Sequence, residues 1–137
     1  MIGVASESRH VSVHIEQPPA VVYAYAADPS HLPDWAPGLC TAIERDGERW
    51  FADSGMGRLE LTFTPDNPYG VLDQEVVTPS GETVYVPLRA IADGDGCEVV
   101  FTLRRAPGMS DAELERDAAL VTSDLALLKS VVESADS

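Results

Sequence analysis

Positive charge is in short supply in this sequence: nine Lys and Arg stand against 23 Asp and Glu, for a formal net charge of −14 over 137 residues. Phosphate backbones and anionic lipid surfaces are bound by concentrated Lys and Arg, so nucleic acid and membrane surfaces are excluded as expected partners. The excess acid reads first as a solvated, self-repelling surface, with a patch meant for a basic partner as the other reading. Cysteine is scarcer still, with two. Cys40 and Cys97 have no CxxC spacing. A disulfide between two strands is geometrically open to them, and burial as small hydrophobes is the other reading. No secretory leader precedes them and no apolar run approaches bilayer length, so a reduced, cytoplasmic protein without membrane insertion is expected. Internal repeats, low-complexity tracts and linkers are absent too, which leaves one domain spanning 1–137 with frayed ends at Met1 to Ser8 and Ser134 to Ser137.

Chemistry-bearing motifs are equally sparse. Neither GxGxxG nor GxxxxGK[ST] occurs, and no Ser, Cys or His arrangement suggests a nucleophile with its base. His10 and His14 lie four residues apart on one strand, roughly 13 Å, too far to share an ion. His31 stands alone. Neither a metal nor a cofactor is expected.

What the chain does have is a clear order of elements. Val11, Val13 and Ile15 alternate with polar residues in a strand over 9–16. Pro18-Pro19 opens a helix over 20–27, and Asp28-Pro29 closes it. A short turn or second helix through His31 to Gly38 follows. From 40 to 105, turn dipeptides such as Asp46-Gly47, Ser54-Gly55, Asn67-Pro68 and Ser80-Gly81 divide six runs, at about 40–45, 48–53, 57–64, 71–77, 82–92 and 97–105. Those are hairpin signals, and the runs read as an antiparallel meander. After Pro107-Gly108, Ser110 and Glu113 have the spacing of a capping box for a helix running to about Glu133.

At 100° per residue, Leu114, Ala118, Val121, Leu125, Leu128 and Val132 share one face of that last helix and should meet the sheet. Asp117 and Asp124 project into the same apolar arc. A carboxylate taken from water must find a cation or several donors, or its pKa rises. Two readings are open. Either the acids are structural ion pairs, with Arg89, Arg104, Arg58 and Tyr85 as partners, or they border a cavity as proton donor, proton acceptor or ligand anchor.

The strands add further polar candidates. In 71–76, Leu72, Gln74 and Val76 share one face and Val71, Asp73 and Glu75 the other; Gln74 looks inward, where its amide serves a ligand or a neighbouring backbone group. Tyr85 and Arg89 fall on one side of their strand. If that side is concave they present a phenol and a guanidinium to an anionic or enolic group, and if convex they are surface residues. Trp35 and Trp50 are large amphipathic rings, with Trp35 in a loop suited to gating a pocket and Trp50 better suited to the core.

Taken together, His10 to Ile15 before Pro18 to Tyr23, then Leu32-Pro33-Asp34-Trp35, Gly70 to Asp73, Val99 to Leu103, and Asp117 through Asp124-Leu125 to Leu128-Lys129 resemble the SRPBCC (START-like, Bet v 1-like) superfamily, near bacterial polyketide cyclase/dehydrase proteins. The resemblance spans nearly the whole chain. It implies an α+β helix-grip fold: a curved antiparallel sheet of about seven strands around a long C-terminal helix, with a cavity for a small hydrophobic or polyketide-like ligand. Trp35, Phe63, Gln74, Arg89, Phe101 and Val121 are then the expected ligand contacts. Such relatives often carry His after the aspartate where this chain has Gln74, so acid–base work would fall to Asp73, Asp117, Asp124 or Tyr85. Because the fold carries many functions, a cyclase-like enzyme, a noncatalytic carrier or sensor, and an interaction module with a filled core all remain open. A monomer or a homodimer is compatible with each.

Overall fold

The computed structural model describes residues 7–134. Most of the two segments expected to fray lies outside that range, but Ser8 begins the first strand opposite Arg104, and Ser134 ends the last helix.

Strand β1 (Ser8–Ile15) alternates as its sequence requires, with Ile15 fully buried. Helix α1 (Pro19–Ala26) follows the two prolines. Asp28 then accepts from the backbone N–H of Ser30 (3.0 Å) and starts a single 3₁₀ turn, Pro29–His31, which leads into the one-turn helix α2 (Leu32–Trp35). Eight strands are present among the described residues. Five form one hydrogen-bonded set: β2 (Ala42–Asp46), β3 (Arg49–Ser54), β4 (Gly57–Phe63), β5 (Gln74–Val77) and β6 (Thr83–Val86). The other set is β1 with β7 (Leu88–Asp93) and β8 (Gly96–Arg104), in the order β1-β8-β7.

The expected run 82–92 is therefore two strands. Pro87 has no N–H to give to a ladder, and the chain breaks there. The expected run 71–77 is shortened as well: the strand covers only Gln74–Val77, and the Asp73 carboxylate before it accepts from Leu88 N–H across the break. Backbone pairing resumes beyond it. Leu72 N–H donates to Leu88 O (2.8 Å), Ala90 N–H to Gly70 O (2.9 Å), and Val71 bridges Arg89. The two sets are thus one curved antiparallel sheet in which β6 and β7 occupy one row, giving seven rows in all.

Helix α3 (Asp111–Ser134) packs across β1 and β8 and against α1 and α2. Its start is the expected capping box: Glu113 N–H donates to Ser110 Oγ (3.1 Å), and Ser110 N–H to Glu113 Oε1 (3.0 Å). Its end is tied to β1, where Lys129 Nζ donates to His14 O (2.9 Å) and Glu16 N–H to Glu133 Oε2 (2.8 Å). Leu125, Leu128 and Val132 are buried in the main core with Ile15, Val22 and Val99. Cys40 and Cys97 are both buried free thiols. None of the described helices is long and apolar enough to cross a membrane.

Candidate functional site

Where the N-terminal half of α3 faces the sheet, packing stops short of filling the space. A cavity of about 330 Å³ remains between α3, the α2 segment and the strands. That is the size of a small-ligand site. Leu32 and Trp35 enter it from α2, Gln74 and Leu88 from the sheet, Phe101 from β8, and Val121 and Leu125 from α3. Met56, at the tip of the β3–β4 hairpin and 69% exposed, also lines it together with exposed Leu120, so its mouth lies between that hairpin and α3.

Six sequence candidates meet here: Asp117, Asp124, Trp35, Gln74, Phe101 and Val121. Among them are polar atoms left without partners. Gln74 is 5% exposed and Trp35 is 3% exposed, yet the amide Oε1 and the indole Nε1 have no hydrogen-bond partner among the described residues. Two such orphans are costly in a folded interior, and both belong to residues that line the cavity, although the atoms themselves are closed off from it.

Asp124 is half-buried in the same wall. Its Oδ1 accepts one hydrogen bond, from the Gly38 N–H at 3.1 Å, across 86 residues of sequence. Burial pushes its pKa above the ordinary aspartate value, with the Gly38 N–H pulling it partly back. Its charge is felt nearby: the Cys40 thiol is pushed up to about 11, first by burial and then by Asp124 and Asp53. The ion-pair reading of Asp117 and Asp124 is therefore overturned. Among the described residues no cation lies within ion-pair distance of either, because Arg89 is bonded to Asp73 and Arg58 to Glu44.

The remaining candidates sit elsewhere. Asp73 is a buried carboxylate with every lone-pair direction used: Oδ1 accepts from Leu88 N–H (2.9 Å) and Arg89 Nε (2.9 Å), Oδ2 from Arg89 Nη2 (2.7 Å) and from the Tyr85 hydroxyl. The Arg89 bonds lead in holding its pKa down to about 2. Tyr85 and Arg89 are exposed, so their side of the sheet is the convex one. Phe63 packs edge-on against Trp50, ring centroids 6.4 Å apart, and lines a second, smaller depression with Asp73, Gln74 and Tyr85. Of the four acid–base candidates, only Asp117 and Asp124 share the cavity.

Gly38 was missed from sequence as anything more than a turn residue. A Cβ there would lie 2.9 Å from Asp124 Oδ2, so the glycine is what lets the carboxylate approach the loop. Nothing in a one-dimensional pattern signals a contact over that separation. The histidines are occupied separately: His10 Nδ1 lies 3.0 Å from Thr102 Oγ1, His14 Nδ1 lies 2.9 Å from Asp93, and the His31 ring stacks on Tyr25.

No protein-family model and no curated protein matches the chain. Solved structures do. The Zhui aromatase/cyclase from Streptomyces sp. R1128 superposes with a TM-score of 0.68 at 17% identity, over 96% of this chain and 97% of that one. Ara h 8.0201 gives 0.67 at 14%, over 95% and 99%. DynU16, from the dynemicin biosynthetic locus, gives 0.70 at 18%, and there the chain spans 93% of itself but only 48% of the other protein, about half its length. At these identities the likeness is one of fold. The fold is the helix grip that the SRPBCC resemblance implied.

Proposed function

We propose that this helix-grip chain binds a small, largely apolar molecule in the cavity between α3 and the sheet, and that Asp124 serves there as an acid–base group in an aldol-type cyclisation or dehydration. The single observation that carries the reading is a half-buried carboxylate without a cation in the wall of an apolar cavity, beside Trp35 and Gln74, whose buried Nε1 and Oε1 have no partner among the described residues. Two free cysteines fit a reducing, cytoplasmic setting. The aromatase/cyclase among the fold neighbours supports the same choice by analogy.

In such a step the Asp124 carboxylate takes a proton from the carbon between two carbonyl groups. The enolate carbon forms a bond to a second carbonyl carbon of the same chain, and the oxygen of that carbonyl receives the proton. Loss of this hydroxyl with a further α-hydrogen releases water and leaves a double bond. The apolar walls would fold the chain into reacting distance.

A noncatalytic carrier is the second reading, and the placement of Asp73, Tyr85 and Arg89 outside the cavity favours it, since half of the acid–base candidates are removed. One experiment separates the two. Protein from its own host is examined by native mass spectrometry, and any bound molecule is extracted, identified and returned to the wild type and to Asp124→Asn. A cyclase converts it, and the variant loses about 10²- to 10⁴-fold in rate while still binding. A carrier returns it unchanged from both proteins. Empty protein that gains no thermal stability from polyketide, sterol or fatty-acid mimics sinks both readings.

A further inference from the structure

The cavity has charge of one sign only. Asp117 and Asp124 both line it, and none of its lining residues is Lys, Arg or His. Of the basic side chains on the sheet, Arg89 is held by Asp73, Arg58 by Glu44, Arg49 by Glu60 and Arg9 by Glu115, while exposed Arg104 does not line the cavity. A second observation points to what enters. Gln74 Oε1 is an acceptor without a donor, and Trp35 Nε1 is a donor without an acceptor. Asp124 accepts only the one N–H from Gly38, which leaves most of its lone-pair capacity open. The charge in this wall is carried by acceptors alone.

We propose that the cavity selects its ligand by the charge of the head group: an apolar body with a hydrogen-bond-donating head is taken, a protonated amine ahead of a neutral hydroxyl or enol, a carboxylate is rejected, and Asp124 is the specificity-determining residue. The inference rests on the cavity being a ligand site, as argued above, but not on whether that site is catalytic. Moving a charged head out of water is offset only where an opposite charge or enough oriented dipoles receive it. A carboxylate entering here meets two like charges and no cation. An ammonium meets the carboxylates of Asp117 and Asp124 in an otherwise apolar wall.

Three probes with one apolar body test this: 2-naphthylmethylamine, 2-naphthalenemethanol and 2-naphthoate, titrated calorimetrically into the full chain near neutral pH and about 0.15 M salt, where the Debye length is about 8 Å and long-range attraction to the acidic surface is damped. The expected order is amine, alcohol, carboxylate, with at least about tenfold between first and last. In Asp124→Asn the amine should fall to within about threefold of the alcohol while the alcohol is unmoved. Exposed Asp95→Asn, which removes the same charge from a distant turn, should change nothing. If Asp124→Asn does not fold, Asp117→Asn carries the test, with a smaller loss of amine affinity expected. Equal affinities, or tightest binding of naphthoate, overturn charge selection and leave the ligand site standing. So does loss of the amine preference in Asp95→Asn, which would make it a bulk-charge effect. Failure of even the alcohol to bind removes the ligand site along with the selection.

Discussion

Asp73 and Asp124 are both aspartates withdrawn from water, and their surroundings push them in opposite directions. Arg89, Tyr85 and the Leu88 N–H hold Asp73 at about 2, below its value in an unfolded chain. A carboxyl whose folded pKa is depressed contributes stability that is present above the unfolded pKa, near 4, and lost as pH falls toward the folded one. The shift is worth about 2 kcal/mol at most, and less in practice because the Arg89 guanidinium is half-exposed and screened. Urea unfolding followed from pH 5 to pH 2 should show this loss in the wild type, and Asp73→Ala should show a flatter profile from a lower starting point, down by about 2–3 kcal/mol at pH 5 because the partners are left with nothing to bond. An unchanged slope in the variant would mean that Asp73 is not a source of acid lability. Asp124 has the opposite sign: burial raises its pKa, so its charged form opposes folding at neutral pH and the penalty fades as pH falls through the raised value. The first residue is built for stability. The second is tolerated at a cost, which is the usual mark of a group kept for another purpose.

Among the elements, the join between β5 and β7 is the most constrained. Gly70 has φ +73°, and a Cβ there would come within 2.2 Å of Ala90 O, the carbonyl row along which the two strand sets meet. Gly70→Ala should therefore cost on the order of 3 kcal/mol, through left-handed strain and backbone collision together, whereas Ser110→Ala at the start of α3 should cost about 1 kcal/mol by removing one cap bond. Chemical denaturation of both ranks them; a milder effect at Gly70 than at Ser110 would show that the join yields easily. These two elements also show what was legible in sequence. The capping box is a local pattern, four residues long, and reads directly. The alternation of β1 and β4 reads for the same reason. Pro87 was visible as a letter, but its effect depends on Asp73 crossing the break to reach Leu88 and Arg89, a contact between distant positions that no periodicity records. So too with the cavity: a helical wheel puts Asp117 and Asp124 on the apolar face of α3, yet only the packed strands decide whether that face meets side chains or space.

At the scale of the whole molecule, the charge imbalance governs how these local terms add up. Even if each of the nine bases found an acid, fourteen acids would remain unneutralised. Repulsion among them is long-ranged in dilute salt, where the Debye length is about 30 Å, and is cut back at 0.15 M, where it is about 8 Å. Salt also weakens the surface ion pairs, such as Arg49–Glu60 and Arg9–Glu115, but each of these is worth under about 1 kcal/mol when exposed. The repulsive term should win, so the melting temperature at pH 7 should rise as NaCl goes from about 0.01 to 0.15 M. Acid should act in two stages. As pH first falls from 7, decreasing net charge favours the folded chain, and relief at Asp124 adds to it as pH passes through that group's raised pKa; below about 4, loss of the Asp73 cluster takes over and stability declines. Thermal melts over salt and pH therefore have a predicted shape, a gain with salt at pH 7 and a maximum on the acid side of neutrality, above the range where the Asp73 cluster is lost. A melting temperature that falls with added salt would mean that the few ion pairs outweigh the excess of acid. The surface acids would then have to be arranged far enough apart to ignore one another, and their share in attracting a cationic head group toward the cavity mouth would be correspondingly small.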